Sequence, residues 1–217
     1  MDQDKDDDSA PCFAHLLVDG HVVDPKTRRD VAAFRKAERQ RLYGLRKTLS
    51  VSDRAAAETS ISHGIDDVLD DPTGQTIAAY WPIRGEPDLR RWMAQAHERG
   101  ARIALPVVVG RDAPVGFHLW SPGCAMERGI WNIPVPRNVM PVVPDVVIVP
   151  LLGVDDALFR LGNGGGYYDR TLVRLPGPRR VIGVGYGFSR MTTIYPMPWD
   201  VPMDVIVLDD GTIQHRQ

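Results

Sequence analysis

The sequence predicts an α/β domain with helices on both sides of a mostly parallel sheet, preceded by a short N-terminal hairpin. Three observations predict it. Strand-like apolar runs alternate with helix-like stretches along most of the chain. One run, Val146 to Val154 (VVIVPLLGV), is apolar nearly throughout and rich in β-branched residues, as a strand covered on both faces must be. A glycine cluster follows it, and then Tyr167 to Leu175, which is compatible with a helix that stops before Pro176. Length and composition agree: 217 residues suffice to bury about 70% of the unfolded surface, and 43% hydrophobic with 25% charged residues is ordinary for a globular chain. We divide it at residue 28, into an acidic tail with the hairpin (1–28) and the α/β domain (29–217).

Residues 1 to 11 are acidic, small and Pro-terminated, and are expected to be disordered. Leu16 to Val23 sets an Asp19-Gly20 turn between apolar triplets, a hairpin signal. From Pro25 the spacing becomes helical, with Val31, Phe34, Ala37, Leu42, Leu45 and Leu49 three to five residues apart. Arg35, Lys36, Arg39, Arg41, Arg46 and Lys47 make this helix strongly basic, and a solvated face accounts for most of them. Ser50 and Asp53 have the spacing of a capping box for a second helix ending near Leu69. Ile77 to Ile83 reads as a strand, and Pro87 as the start of a helix that Gly100 ends. Ala101 to Val109 and Gly116 to Trp120 read as a strand pair turning at Gly110 to Pro114. Residues 121 to 145, with five prolines, read as irregular. Arg180 to Gly187 and Val205 to Leu208 supply two more strands before an Asp210-Gly211 turn.

Several function classes are excluded or unsupported. A net charge of −2 gives no basic face for nucleic acid. No apolar run approaches the ~18 residues of a membrane span, and the acidic start does not resemble a signal peptide. The two cysteines form no disulfide framework, so a cytoplasmic protein is expected. No His-Glu-x-x-His, Cys-x-x-Cys or Gly-x-Ser-x-Gly pattern is present. Cys124 has no basic neighbour in sequence and is expected to be a structural thiol.

Chemistry concentrates in Arg160 to Arg170 (RLGNGGGYYDR). Strand, glycine turn and helix start can cradle a phosphate: glycines let backbone N–H groups approach an anion, and the positive end of the helix favours it. Glycines alone equally suit a tight turn. No Lys-Ser/Thr follows, which excludes a Walker A loop, and no ribose-binding acid marks a dinucleotide site.

The full string closely resembles the signature of the 5-formyltetrahydrofolate cyclo-ligase family, also called methenyltetrahydrofolate synthetase. The resemblance extends to Tyr80-Trp81-Pro82-Ile83-Arg84-Gly85-Glu86-Pro87-Asp88-Leu89, Leu105-Pro106-Val107-Val108, Ile133-Pro134-x-Pro136 and Val149-Pro150, and spans about residues 30 to 208. It implies a three-layer α/β/α domain and an ATP-dependent ring closure of 5-formyltetrahydrofolate, with MgATP and a reduced folate as partners and a monomer or homodimer as the assembly. By resemblance, ATP contacts fall to Arg35 and Arg39 (where the family usually begins with Lys), to Lys36, and to Gly162, Asn163, Gly164, Gly165, Gly166 and Tyr167. Trp81, Glu86 and Tyr168 take the folate, Arg160 and Tyr168 assist the chemistry, and Asp169 and Asp200 hold Mg²⁺. The chain departs from the family pattern at Val135, where Glu is common, at Ser189, where Gln is common, and at Met197 and Trp199, where the family has Glu and His. These departures leave open a paralogue that uses ATP on another substrate. A catalytically idle folate or nucleotide binder, and a sugar-phosphate isomerase or CoA-transferase-like enzyme on a related scaffold, are the readings from other classes.

Overall fold

The computed structural model describes residues 17–18, 20–177 and 179–217. The acidic tail, Cys12 and the Asp19 half of the hairpin turn lie outside the described residues. The hairpin itself is present as β1 (Leu17–Val18) and β2 (His21–Val22), paired antiparallel.

Two long helices follow, each started by side-chain chemistry that the sequence announces. In α1 (Pro25–Thr48) the Asp24 carboxylate accepts from the Thr27 amide at 2.7 Å, and Pro25 occupies the first turn, where its missing N–H costs nothing. In α2 (Val51–Leu69) the capping box is complete: the Ser50 hydroxyl accepts from the Asp53 amide and the Asp53 carboxylate from the Ser50 amide, both at 3.1 Å.

The central sheet has seven strands, in the order β14-β13-β11-β8-β3-β4-β5. β3 (Thr76–Ala78), β4 (Arg102–Val108), β8 (Val146–Pro150), β11 (Arg180–Gly185) and β13 (Val205–Leu208) run parallel, and β5 (Val115–Trp120) and β14 (Ile213–His215) are antiparallel edges. Alternate residues of the parallel strands feed two cores. Ile77, Ile103, Leu105, Ile148, Ile182 and Val207 pack with Ile61 and Ile65 of α2 and with Trp92 and Met93 of α3 (Arg90–Glu98). Ala78, Ala104, Val147, Val149, Val181 and Ile206 face Leu172 of α4 (Tyr167–Arg174). Helices on both faces make the predicted three layers. From β3 the chain builds outward through β4, and from β8 it builds the opposite way through β11 and β13, so the sheet reverses direction between β3 and β8. Ligands of open α/β sheets collect at the carboxyl ends of such a junction.

Four expectations need correction. The first central strand ends at Ala78 instead of Ile83, because the chain leaves the sheet to form the Tyr80–Leu89 connection. α3 starts at Arg90, not Pro87: the Asp88 carboxylate holds the Arg90 amide at 3.0 Å and begins the helix there. The run 146–154 is two strands. After Pro150 the chain turns away, and β9 (Gly153–Asp155) joins a second small sheet with β10 (Arg160–Leu161) and β12 (Arg190–Met191). Gly153 permits this approach, since a Cβ there would lie 2.6 Å from the Met191 sulfur and 3.1 Å from Leu42. Finally, the proline-rich stretch carries β6 (Met126–Arg128) paired with β7 (Pro134–Pro136), a two-stranded ribbon in which prolines are tolerated as edge residues.

Candidate active site

Helix α1 lies across the carboxyl ends of the strands, and its row Arg35, Arg39, Tyr43 and Arg46, three to four residues apart, shares one face. Each member reaches a different part of the junction. Arg35 donates to the Ile194 and Tyr195 carbonyls at 2.9 and 2.8 Å and pairs with Asp200. Arg39 donates to the Gly162 carbonyl at 2.8 Å. Tyr43 bonds the Asn163 amide oxygen, and Arg46 donates to the Leu151 carbonyl at 2.6 Å.

The glycine loop joins β10 to α4. Gly164 (φ 99°) and Gly166 (φ 64°) take left-handed backbone, which places the loop around Arg39: a Cβ on Gly164 would sit 3.4 Å from its guanidinium carbon. Among the described residues, the backbone N–H groups of Asn163 to Gly166 donate to no other group of the chain. Together with the unpaired N–H groups of the first turn of α4, they form a donor-lined turn that suits an anion.

Two ion pairs flank the loop. Arg160 bonds Asp169 at 2.9 Å with side chains 3% and 16% exposed, and Arg35 bonds Asp200 with side chains 12% and 8% exposed. The Val201 amide, next to Asp200, donates to Asp169 at 3.2 Å, so both predicted metal carboxylates stand on one wall. The Arg160 guanidinium covers the Tyr168 ring at 5.4 Å, and its Nη1 has no hydrogen-bond partner among the described residues. Burial, with help from the Glu86 carboxylate, pushes the Tyr168 hydroxyl well above the usual phenol range, so it stays a proton donor.

Glu86 is buried at the end of the β3 connection. Its Oε2 accepts from the Ile83 amide at 3.0 Å and its Oε1 from the Asn163 amide nitrogen at 3.2 Å. Burial raises its pKa; the Ile83 hydrogen bond and nearby Arg46 oppose the rise. The Asn163 bond joins the two halves of the site, from opposite sides of the topological junction.

The chain matches the 5-formyltetrahydrofolate cyclo-ligase family over residues 31–209. It belongs to that family. A 5-formyltetrahydrofolate cyclo-ligase of Mycoplasma pneumoniae is 39% identical over 178 residues, covering 81% of this chain and 99% of that protein. One of Mycolicibacterium smegmatis is 34% identical over 139 residues, covering 60% and 72%. The NMR structure of Aquifex aeolicus 5,10-methenyltetrahydrofolate synthetase superimposes with a TM-score of 0.72 at 27% identity, covering 84% of this chain and 93% of that one. The family is one of ligases, and the mixed α/β fold with its large, mostly parallel sheet matches its structures.

Against this cyclo-ligase background, the predicted site residues divide into two groups. Arg35, Arg39, Glu86, Arg160, Gly162–Gly166, Tyr167, Tyr168, Asp169 and Asp200 gather at the junction. Lys36 does not: it is exposed and off the row formed by Arg35 and Arg39. The Trp81 ring instead packs toward the α2–α3 core with the Arg90 guanidinium 5.2 Å from its centre. Asn163 turns its side chain to Glu86 and Tyr43. Sequence reasoning missed Arg46, which is 1% exposed instead of solvated; its place on the Arg35–Arg39 row was the available signal. It also missed Trp131, which holds φ 56° and meets the Tyr167 ring edge-on at 5.3 Å. An exposed aromatic in strained backbone beside the glycine loop is a candidate ligand wall. Of the departures from the family pattern, Val135, Ser189 and Met197 are buried in packing and only Trp199 is partly open.

Proposed function

We propose that this cyclo-ligase family member converts 5-formyltetrahydrofolate to 5,10-methenyltetrahydrofolate with consumption of ATP and release of ADP and phosphate. The observation that carries the reading is the 3.2 Å hydrogen bond between Asn163 of the glycine loop and Glu86. It sets a donor-lined anion turn directly beside a buried carboxylate able to accept from a flat heterocycle, so a phosphoryl donor and a pterin would meet there. The buried positions of Val135, Ser189 and Met197 support the same substrate over a paralogue, since these changes alter packing more than the cleft.

The formyl oxygen attacks the γ-phosphorus, ADP departs, and N10 closes on the activated carbon. N10 loses its proton, and phosphate leaves with the former formyl oxygen. Amide oxygen is a poor leaving group, and phosphorylation makes it a good one. The protein's part is positioning and charge stabilisation. Arg39, Arg35 and the loop amides hold phosphate oxygens, and the free Nη1 of Arg160 adds a donor. Tyr168, kept protonated, and Glu86 orient the folate, with Trp131 as an aromatic wall.

Mg²⁺ suits this wall, because it uses one or two carboxylates and takes its remaining ligands from phosphates and water. Asp169 accepts two hydrogen bonds and keeps free lone pairs, so it would hold the ion; Asp200 accepts from Arg35 and the Met197 amide and would join only if Arg35 turned to phosphate. Bound there, the ion would neutralise the charge that develops on the phosphoryl oxygens. The test is the absorbance of methenyltetrahydrofolate on mixing protein with 5-formyltetrahydrofolate. Formation only with MgATP is expected, and formation without ATP, or none with it, overturns the proposal.

A further inference from the structure

Arg170 ends the Arg160–Arg170 motif, and its side chain turns back from the first turn of α4 onto the glycine loop. Its Nη2 donates to the Gly165 carbonyl, and its backbone N–H donates to the Gly166 carbonyl at 3.1 Å. The guanidinium carbon lies 5.1 Å from the centre of the Tyr167 ring. That ring in turn lies against Gly165, where a Cβ would come within 2.7 Å of it. A Cβ on Gly166 would come within 2.8 Å of Nη1 of Arg170. No close ion pair accounts for the placement. The Asp112 carboxylate, 79% exposed in the β4–β5 turn, is 3.9 Å away, and Nε of Arg170 has no partner among the described residues.

The Gly165 carbonyl and the Gly166 N–H belong to one planar trans peptide, in which the two groups point opposite ways. Holding the carbonyl therefore fixes the direction of an N–H that has no acceptor among the described residues. Arg39 does the same at the other end of the loop, where its 2.8 Å bond to the Gly162 carbonyl fixes the Asn163 N–H. Three consecutive glycines are otherwise the loosest of backbones, and ordering them when a ligand binds costs affinity. We propose that Arg170 is a positioning residue for the anion turn: by holding the Gly165 carbonyl and the Tyr167 ring, it presents the Gly166 N–H before the anion arrives. It acts through the backbone and touches no phosphate itself. The assignment rests on the reading that this turn takes the phosphates of ATP. Trp131 meets Tyr167 from the β6–β7 ribbon at 5.3 Å independently of Arg170, so the folate side of the cleft does not depend on it.

The experiment measures MgATP binding without folate, and 5-formyltetrahydrofolate binding without ATP, by calorimetry at low and high salt. It compares the wild type with Arg170→Met, which keeps the stem, and Arg170→Lys, which keeps the charge; circular dichroism checks the fold. Arg170→Met should weaken MgATP about tenfold and leave folate affinity unchanged. The ratio of wild-type to variant affinity should be the same at both salt concentrations, because a held peptide, unlike a bare charge, is not screened. Arg170→Lys should recover at most part of the loss, since an ammonium has no planar face for Tyr167. Full recovery with lysine, together with a loss that shrinks in high salt, would show that Arg170 acts by its charge and overturns the positioning role. Equal weakening of both ligands overturns it too, as the mark of a general structural part. Unchanged MgATP affinity in Arg170→Met overturns it while the cyclo-ligase reading stands. No MgATP binding by the wild type defeats the nucleotide reading and the positioning role together.

Discussion

The two halves of the site treat charge in opposite ways. Around the glycine loop two arginines are matched by carboxylates, Arg35 by Asp200 and Arg160 by Asp169, and Arg39 donates to the Gly162 carbonyl. On the other side of Asn163, Arg46, Lys47, Arg54 and Arg84 share a cleft that, among the described residues, has no carboxylate in its wall, and the nearby Glu86 bonds none of them. Phosphate binding in the first half, as proposed, would therefore be an exchange of partners, in which the ligand takes over arginines already compensated. An anion in the second half would instead meet cations without a carboxylate partner and complete the idle Nε and Nη1 of Arg46. A matched pair is expensive to break, because removing one member strands the other, whereas an idle cation can be replaced more cheaply.

That contrast predicts the largest effect. Arg160→Ala leaves Asp169 low in exposure and without its partner, and should cost about 3–5 kcal/mol of stability in urea unfolding. Adding Asp169→Ala should restore part of it, since the two residues act as a unit. Arg46→Met removes one hydrogen bond to a carbonyl and should cost only about 1–2 kcal/mol. If Arg46→Met proves as damaging as Arg160→Ala, Arg46 is a structural pillar and the contrast between halves collapses.

Glu86 sharpens the comparison from the acidic side. Its folded pKa is raised from the ordinary 4.5, chiefly by burial. Between the unfolded and folded values the native state binds more protons than the unfolded state, so stability falls as pH rises through that window and stays lower above it. Glu86→Gln should thus unfold like the wild type well below pH 4.5 and be more stable near neutrality. The same change should weaken 5-formyltetrahydrofolate binding about ten- to a hundredfold and leave ATP affinity unchanged. A variant that loses stability at neutral pH would show that the carboxylate serves packing before substrate.

How far the sequence anticipated this arrangement depends on the range of the interaction. Local signals were reliable: the Ser50–Asp53 box and the Asp24-Pro25 helix start act within a few residues, and the alternating apolar runs name the strands and their order of appearance. The break at Leu151–Leu152 was hidden, because the run stays apolar while changing sheets, and only contacts with Met191 and Leu42 far away in the chain make Gly153 necessary. The same holds for the site. The glycine loop, Glu86 and the paired carboxylates were legible as motifs, while the partners were not. A sequence that shows nine cations on one helix does not say that Arg46 turns inward to Leu151, 105 residues on, or that Asn163 bonds Glu86, 77 residues away.

The smallest effect tests whether the halves communicate. Tyr43 touches both: its hydroxyl bonds Asn163 and accepts from Arg84 at 3.3 Å, and Asn163 in turn donates to Glu86. Arg84, Tyr43, Asn163 and Glu86 form one continuous chain across the junction. Tyr43→Phe keeps the ring and removes the hydroxyl at a partly exposed position, so water can replace it and stability should change by only about 0.5–1.5 kcal/mol. Binding of ADP alone and of folate alone should change little for the same reason. What should change is their mutual effect, because a nucleotide that orders Asn163 then no longer fixes Arg84 through the tyrosine. By linkage, the factor by which ADP alters folate affinity equals the factor by which folate alters ADP affinity. Calorimetry of each ligand with and without the other gives that factor twice. In Tyr43→Phe both determinations should move together toward unity. An unchanged factor would mean that coupling, if any, runs through direct ligand contact, and that the Tyr43 hydroxyl serves only its own helix.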